Sequence, residues 1–481
     1  MPIEFQLNIQ VVKFLSRLLA LSLASVFLYL IAVLFDLPDR FFGLLIILFS
    51  VCLSASCYMT VSKQLGISDP VFIFSSFLTL YTITPVAQTV VGFNFFALNS
   101  IYSYSDFDVF LHASRFILFN FVVIFTYFIF IDIFNNHQSR FSFNIVIFER
   151  KKFYNDKYAL FVAVFIFLLS FFTLTILAAP VETYYDNYTK YDHLPSSIRT
   201  LVSVLKRLYW GILPILVVLV LFNFKEKKII ASFFIVLICA VDLIVSKGSR
   251  INTLIVVVQA LVVYNLLVSR INLARLFYLV LPFIFFMALI ELVRLSSGNL
   301  DLQELSLVPG EFNALFFPSI ELFKMREIGV LPYYSELMLY KDIYYLIPFF
   351  NNPDADPMNW YWVNFHPHAE VAPFTMGPIA DSAFFGSWFA IFFRGILLAI
   401  NIFILRCILL YVSKSWLSFL IFSYCVSISI LALKYSVFTY QEQMIKNLLP
   451  TLLIFLICCL ILKFFIKVML NNNSWSKNVS K

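Results

Sequence analysis

Residues 159–179 read ALFVAVFIFLLSFFTLTILAA, an apolar stretch without one charged side chain. Polar and apolar positions do not alternate in it, so it is not a strand with one wet face. Its length suits the ~20 residues that a helix needs to cross a hydrocarbon layer about 30 Å thick. Comparable runs recur along the chain. Hydrophobic residues fill 62% of the 481 positions and charged residues only 13%, whereas roughly a quarter of a soluble domain is charged. That leaves too little polar surface to cover a core in water. In lipid each backbone polar group must be satisfied within the chain, which leaves helices or closed barrels, and the run lengths select helices. The expected fold class is all-α, a polytopic integral membrane protein of about twelve transmembrane helices.

Spans are expected at 14–35, 41–61, 71–91, 116–134, 159–179, 208–224, 229–245, 251–268, 276–293, 384–405, 416–433 and 448–465. The stretch 378–410 also has room for a re-entrant piece. The first run follows Lys13 and Arg17 as a signal peptide would, but Phe35-Asp36-Leu37-Pro38 offers no small-residue cleavage site. An uncleaved first helix is therefore expected. The seven cysteines lie in or beside apolar runs without paired metal spacing and read as small buried hydrophobes.

The net charge of +7 does not mark a nucleic-acid partner, because the cations cluster in short loops beside the apolar runs. One set of loops holds more than half of the 34 Lys and Arg residues, among them Arg150, Lys151, Lys152, Lys227, Lys228, Arg270 and Arg406. That set is expected to face the cytoplasm, together with both termini. The opposite loops are unequal: 178–206 is the smaller and 295–379 the large one, rich in Pro, Asn, Tyr and Trp. Loops this long are usually functional or disordered, and the aromatics of the large loop are expected to fold it over the outer mouth. No internal repeat is visible, which weakens a transporter reading.

There is no Gly-rich nucleotide loop, no Cys-x-x-Cys, no His-Glu-x-x-His and no Gly-x-Ser-x-Gly, so no cofactor is expected. Ser246-Lys247-Gly248-Ser249-Arg250 is a short outer turn that sets two cations where one helix ends and the next begins. Free N–H groups plus Lys and Arg make an anion site, and an ordinary turn whose cations reach lipid headgroups is the plainer alternative. Arg294 follows a helix that also holds Glu291, with which it can pair. Arg394 falls inside a span, where facing lipid would cost about 3 kcal/mol or more, so it requires a partner, a cavity or an interface. Asp242 is a further charge within a span, a turn or so below Lys247.

At the end of the large loop, His366-Pro367-His368-Ala369-Glu370 gathers three side chains able to move protons near neutral pH. Two His and one Glu fall short of a four-ligand metal site, so no metal is expected. A solvated loop without chemistry is the alternative. Arg199, Lys206 and Arg207 close the smaller loop, and Lys190 and Arg326 are other outer cations. Singly, each reads as a headgroup contact.

Three stretches together resemble the bacterial O-antigen polymerase family, the Wzy-type oligosaccharide repeat-unit polymerases. They are Ser68-Asp69-Pro70 at the start of the third span, Lys247-Gly248-Ser249-Arg250, and 378–388 (PIADSAFFGSW) followed by Arg394-Gly395. Asp381 and Phe385-Gly386 occupy the place of that family's acidic residue and aromatic-Gly step after its largest outer loop. The family's Arg-x10-Gly pattern is absent, with Trp210 where Arg199 would require Gly and Gly211 beside it. The resemblance implies a GT-C-like membrane glycosyltransferase of a bacterial inner membrane. Such an enzyme moves a growing glycan from polyprenyl pyrophosphate onto an incoming lipid-linked repeat unit at the outer face. It implies polyprenyl-pyrophosphate-linked oligosaccharides and membrane lipids as partners, with a chain-length regulator and a flippase of the same pathway. The activated donor makes ATP and metal unnecessary. Cations in a water-poor site stabilise the departing diphosphate; Arg250 and Lys247 are expected to bind it, helped by Arg294 and Arg199. Glu370, His368, His366 and Asp381 are the candidates for orienting or deprotonating the acceptor hydroxyl.

An O-antigen ligase shares class and topology. A lipid-linked oligosaccharide flippase or other transporter fits the helix count, and a membrane scaffold with a partner-binding loop is the remaining reading. The orientation is testable: with the native cysteines replaced, Lys247→Cys should react with an impermeant maleimide on intact cells. Reaction only after lysis would place the turn inside.

Overall fold

The computed structural model describes residues 9–34, 40–62, 64–92, 105–137, 157–179, 190–224, 226–245, 250–276, 278, 310–332, 360, 361, 364, 377–386, 388–411 and 416–479. The helices are α1 (Ile9–Leu34), α2 (Arg40–Val61), α3 (Pro70–Val91), α4 (Asp106–His137), α5 (Lys157–Leu177), α6 (Ser196–Asn223), α7 (Lys228–Val245) and α8 (Arg250–Leu267). They continue as α9 (Gly310–Glu327), α10 (Pro378–Asp381), α11 (Trp388–Tyr411), α12 (Trp416–Ser427), α13 (Ser429–Lys434), α14 (Thr439–Gln443) and α15 (Leu449–Val479). A π-helical turn, Met444–Leu448, joins the last two. No strand occurs among the described residues. Seven of their helical stretches are long and apolar enough to cross a membrane: Phe41–Val61, Pro70–Val91, Asp106–Phe134, Tyr158–Leu177, Ser196–Asn223, Trp388–Leu409 and Thr439–Ile466. The chain is an all-helical, polytopic membrane protein.

The apolar helices α1, α7 and α8 cover the runs expected at 14–35, 229–245 and 251–268. The run at 276–293 lies almost wholly outside the described residues. Two boundaries move outward: α4 starts at Asp106, and α6 starts at Ser196, so the end of the 178–206 loop is helical. The run at 416–433 is broken at Ile428, between α12 and α13. Within the large loop, α9 buries Leu315, Phe316, Ile320, Leu322 and Phe323 and packs on α3 and α4.

The chain forms two compact units, 1–146 with 270–413 and 428–440, and 147–269 with 414–427 and 441–481. In the first, α2 packs on α1 and α3, and α4 packs on α3 and α11. Lipid tails are as apolar as Leu, so these crossings depend on close approach and polar contacts rather than on escape from water. A Cβ on Gly43 would run into Val90 and Phe110, and one on Gly395 would lie 2.8 Å from Val122. The Ser54 hydroxyl of α2 lies 2.7 Å from that of Ser75 and 2.6 Å from that of Thr79, both on α3. In the second unit, α6 packs on α5, α8 and α15, and Gly211 leaves no room for a Cβ against Thr451. The Gln259 amide of α8 donates to the Pro214 carbonyl at 3.2 Å and to the Ser423 hydroxyl at 3.4 Å.

One buried charge pair organises an end of the first unit. Asp69 precedes Pro70 and caps α3, accepting from the Val71 N–H at 3.2 Å, as Asp before an N1 proline should. Its other oxygen accepts from Arg406 Nη1 of α11 at 2.7 Å, and the Tyr127 hydroxyl of α4 donates to the capping oxygen at 2.8 Å. Arg406 also donates to Gln64. Arg406 was expected in a cytoplasmic loop; it is instead inside α11 and buried. Nearby, Asp132 of α4 accepts the N–H groups of Gln10 and Val11 at 3.3 and 2.9 Å, satisfying donors that α1 leaves free at its start.

Removing one member of a buried pair strands the other. Arg406→Met should destabilise the first unit by about 3–5 kcal/mol, read as a lower melting temperature in detergent. The double variant with Asp69→Asn should recover part of that loss. Equal stability of Arg406→Met and the parent would show that the pair holds nothing.

Candidate functional site

Charged and hydrogen-bonding side chains collect at the end of the first unit where α4 and α11 begin. The centre is α10 and the turn after it. Pro378 at the first helical position starts α10, and Gly377 before it sits so close to the Leu433 carbonyl of α13 that no Cβ would fit. The turn ends at Gly386, whose φ of 109° lies in a region that side-chain-bearing residues avoid, and α11 follows. Residues Pro378 to Phe385 are buried throughout.

Arg394, one and a half turns into α11, is 1% exposed, and Asp381 is 4% exposed. Arg394 Nη1 lies 3.5 Å from Asp381 Oδ2 and donates to the Pro378 carbonyl at 3.1 Å. Its guanidinium also lies 5.0 Å from the centre of the Phe385 ring. The span arginine therefore has the partner that its position demands, and it is one of the residues on which the sequence resemblance rests. From α9, Arg326 donates to the Ala383 carbonyl, and Glu321 accepts from the Tyr361 hydroxyl. The Ser382 hydroxyl returns to the Pro378 carbonyl at 2.7 Å. Lys434, the last residue of α13, is buried beside the Leu433 carbonyl that Gly377 approaches.

A second group joins α4 to α9 at the same end. Lys324 pairs with Asp108 at 2.8 Å and lies 3.9 Å from Glu327. Arg115 Nη2 lies 3.6 Å from Glu327 and the guanidinium is 4.0 Å from the Phe323 ring centre. Arg115 Nη1 donates to Nδ1 of buried His112 at 3.2 Å, and three rings, those of Phe116, Phe316 and Phe323, enclose that imidazole. A carboxylate and an arginine held in a buried segment, with more cations on the neighbouring helix, can fix an anionic group and orient a hydroxyl.

In the second unit, Asp242 of α7 is fully buried and accepts from the Tyr209 hydroxyl at 3.4 Å and the Thr253 hydroxyl at 3.3 Å. Hydroxyls of α6 and α8 thus serve this carboxyl. Lys247, a turn or so further along the chain, lies outside the described residues.

Of the residues singled out in the sequence, Asp381 joins the central cluster. Arg199 is exposed in the first turn of α6, where its N–H donates to the Pro195 carbonyl at 2.9 Å. Arg250 is the first residue of α8, and its side chain lies outside the description. Lys247, Arg294, His366, His368 and Glu370 also lie outside the described residues. Arg326, Glu321, Arg115 and Lys324 were not picked out as a group. The signal for them was the spacing of Phe316, Ile320 and Phe323, which marks a helical face inside what reads as a loop.

Comparison with protein-family models, with curated proteins and with solved structures finds no match for the chain.

The cluster predicts coupling between Asp381 and Arg394. Asp381→Ala and Arg394→Met should each destabilise the protein, and the double variant should lose less than their sum by about 0.5–3 kcal/mol. Denaturation of the four proteins in one detergent measures it. Strict additivity would mean that the two side chains do not share an interaction.

Proposed function

We propose that this chain is a membrane glycosyltransferase. It polymerises undecaprenyl-pyrophosphate-linked oligosaccharide repeat units into O-antigen or a related surface polysaccharide at the periplasmic face of a bacterial inner membrane. The observation that carries the reading is the buried Asp381–Arg394 pair. It lies in the segment that resembles the polymerase family, between the large loop and the last spans. Positive loop charges favour the cytoplasmic side for the opposite ends of these helices, which supports an outer-face position for the cluster.

In this reading a hydroxyl of the incoming unit's sugar attacks the anomeric carbon of the growing glycan. The bond from that carbon to the phosphate oxygen breaks, and the diphosphate leaves on the polyprenol. Arg250 and Lys247, helped by Arg294 and Arg199, meet the departing charge, since fixed cations in a dry site stabilise it without reorganising. The hydroxyl proton passes to a base drawn from Glu370, His368 and His366. Asp381, already engaged by Arg394, acts with it as a positioning pair.

A transporter is the second reading, favoured by one observation. The 416–433 run is broken at Ile428, and buried Lys434, Ser436 and Thr439 follow the break. Broken helices with polar groups are the mark of transport sites.

Deletion of the gene in its source organism separates these readings by gel analysis of surface polysaccharide. Loss of a polymerase should leave single repeat units on lipid A, whereas loss of a ligase or flippase should leave none. Glu370→Gln at unchanged protein level should reproduce the deletion. Full-length chains in the deletion strain would sink the polymerase reading.

A further inference from the structure

Asp69 and Asp381 each face an arginine. Asp242, on α7 in the second unit, is buried as deeply and faces none. It is 0% exposed and makes no ion pair among the described residues. Tyr209 and Cys239 beside it bring no positive charge. Lys247 and Arg250 follow it in the sequence, and their side chains lie outside the described residues. The last turn of α7 and the first turn of α8 meet at this carboxyl, so their partial charges, opposite in sign, offset each other. A carboxylate taken out of water without a positive partner is costly.

The spacing of the oxygens around it tells what supplies the charge. The Tyr209 and Thr253 hydroxyl oxygens stand 3.4 and 3.3 Å from the two carboxylate oxygens. A hydroxyl bonded to a carboxylate usually stands at about 2.5–2.7 Å. Oxygens that share one hard cation at roughly 2.3–2.6 Å lie about 3.3–3.7 Å apart at right angles. The observed separations match the second spacing. Three helices fix these oxygens: Thr253 of α8 is 0% exposed, and the Tyr209 ring of α6 is stacked on Phe167 of α5 with centres 5.5 Å apart. The last four carbonyls of α7, from Asp242 on, have no donor within the helix and add oxygens at the same end. One carboxylate among neutral oxygens balances one positive charge. No group of three or more His, Cys, Asp or Glu able to hold a metal ion occurs among the described residues, so nothing there favours a multivalent ion. Potassium, being larger, would spread the oxygens further.

We propose that Asp242, Tyr209 and Thr253 form a binding site for a single sodium ion, which ties α6, α7 and α8 together. The site stands on the geometry of the second unit and does not depend on the glycosyl-transfer reading.

The test uses the full chain in nanodiscs, in sodium, potassium or choline chloride at equal ionic strength. Sodium should raise the melting temperature by a few degrees over both other salts, and radioactive sodium should bind at one ion per chain. Asp242→Asn should abolish both effects, and Thr253→Val should weaken sodium binding roughly tenfold. Equal melting temperatures in the three salts, with no bound sodium, would overturn the site. A protonated carboxyl band in the infrared spectrum, lost in Asp242→Asn and indifferent to sodium, would overturn it in favour of a proton. Recovery of Asp242→Asn stability by a second change, Lys247→Gln or Arg250→Gln, would reveal a counter-charge within the chain and overturn it as well.

Discussion

A guanidinium left against hydrocarbon costs about 3 kcal/mol or more, and α11 carries two of them. Arg394 and Arg406, twelve positions apart, stand about 18 Å from each other along the helix axis. Each meets an aspartate next to a chain break: Asp381 at the end of α10 and Asp69 at the start of α3. A slide of α11 by one turn would strand both charges at once. The two pairs therefore fix its register against α3, α4 and α10, and through α10 they fix α9. Desolvating such pairs makes them poor sources of net stability, but losing half of one is costly. Their contribution is to forbid other packings more than to deepen this one.

Close packing does the rest, and it follows from the solvent. Between helices in lipid there is no water to expel, so the contacts that matter are those an added methyl group would spoil. Gly43, Gly211 and Gly395 stand at three such crossings. The hydroxyls of Ser54, Ser75 and Thr79 bond across the α2–α3 seam, where the chain would otherwise offer only weak dispersion. Exposed Phe165, Leu169 and Phe172 on α5 are unremarkable by the same logic, since lipid is their solvent.

How much of this was legible in the sequence depended on whether the cause was local. Run length and hydropathy are local, so the membrane class and most of the helices could be read directly. The Asp69-Pro70 start of α3 is a local cap signal, and the demand that Arg394 find a partner follows from its neighbours alone. Arg406 was misplaced because a basic residue at the end of an apolar run looks the same whether it reaches for headgroups or for Asp69, 337 positions away. The break at Ile428 was missed because no Pro or Gly marks it. The helix α9 was hidden by its charges, since Glu321, Lys324 and Arg326 lower its hydropathy to that of a loop although its Phe and Ile spacing is helical.

The broken segments of the first unit share one physical problem, which explains why they meet. Irregular backbone at membrane depth is tolerated only where protein or a water-filled cavity satisfies it. Side chains do so here. Arg394 and Ser382 take the Pro378 carbonyl, Arg326 takes the Ala383 carbonyl, and Asn401 of α11 donates to the Val437 carbonyl at 2.8 Å. The Thr439 hydroxyl accepts from the Ser436 N–H at 3.0 Å, and the Ser436 hydroxyl accepts from the Phe438 N–H at 3.1 Å. Gly377 then lets α10 and the end of α13 touch backbone to backbone. A cluster assembled this way takes its charges from rigid helices and its shape from short breaks held at several points. Rigid charges around a fixed break keep their geometry without reorganising, which is the condition for strong electrostatic stabilisation in a dry interior.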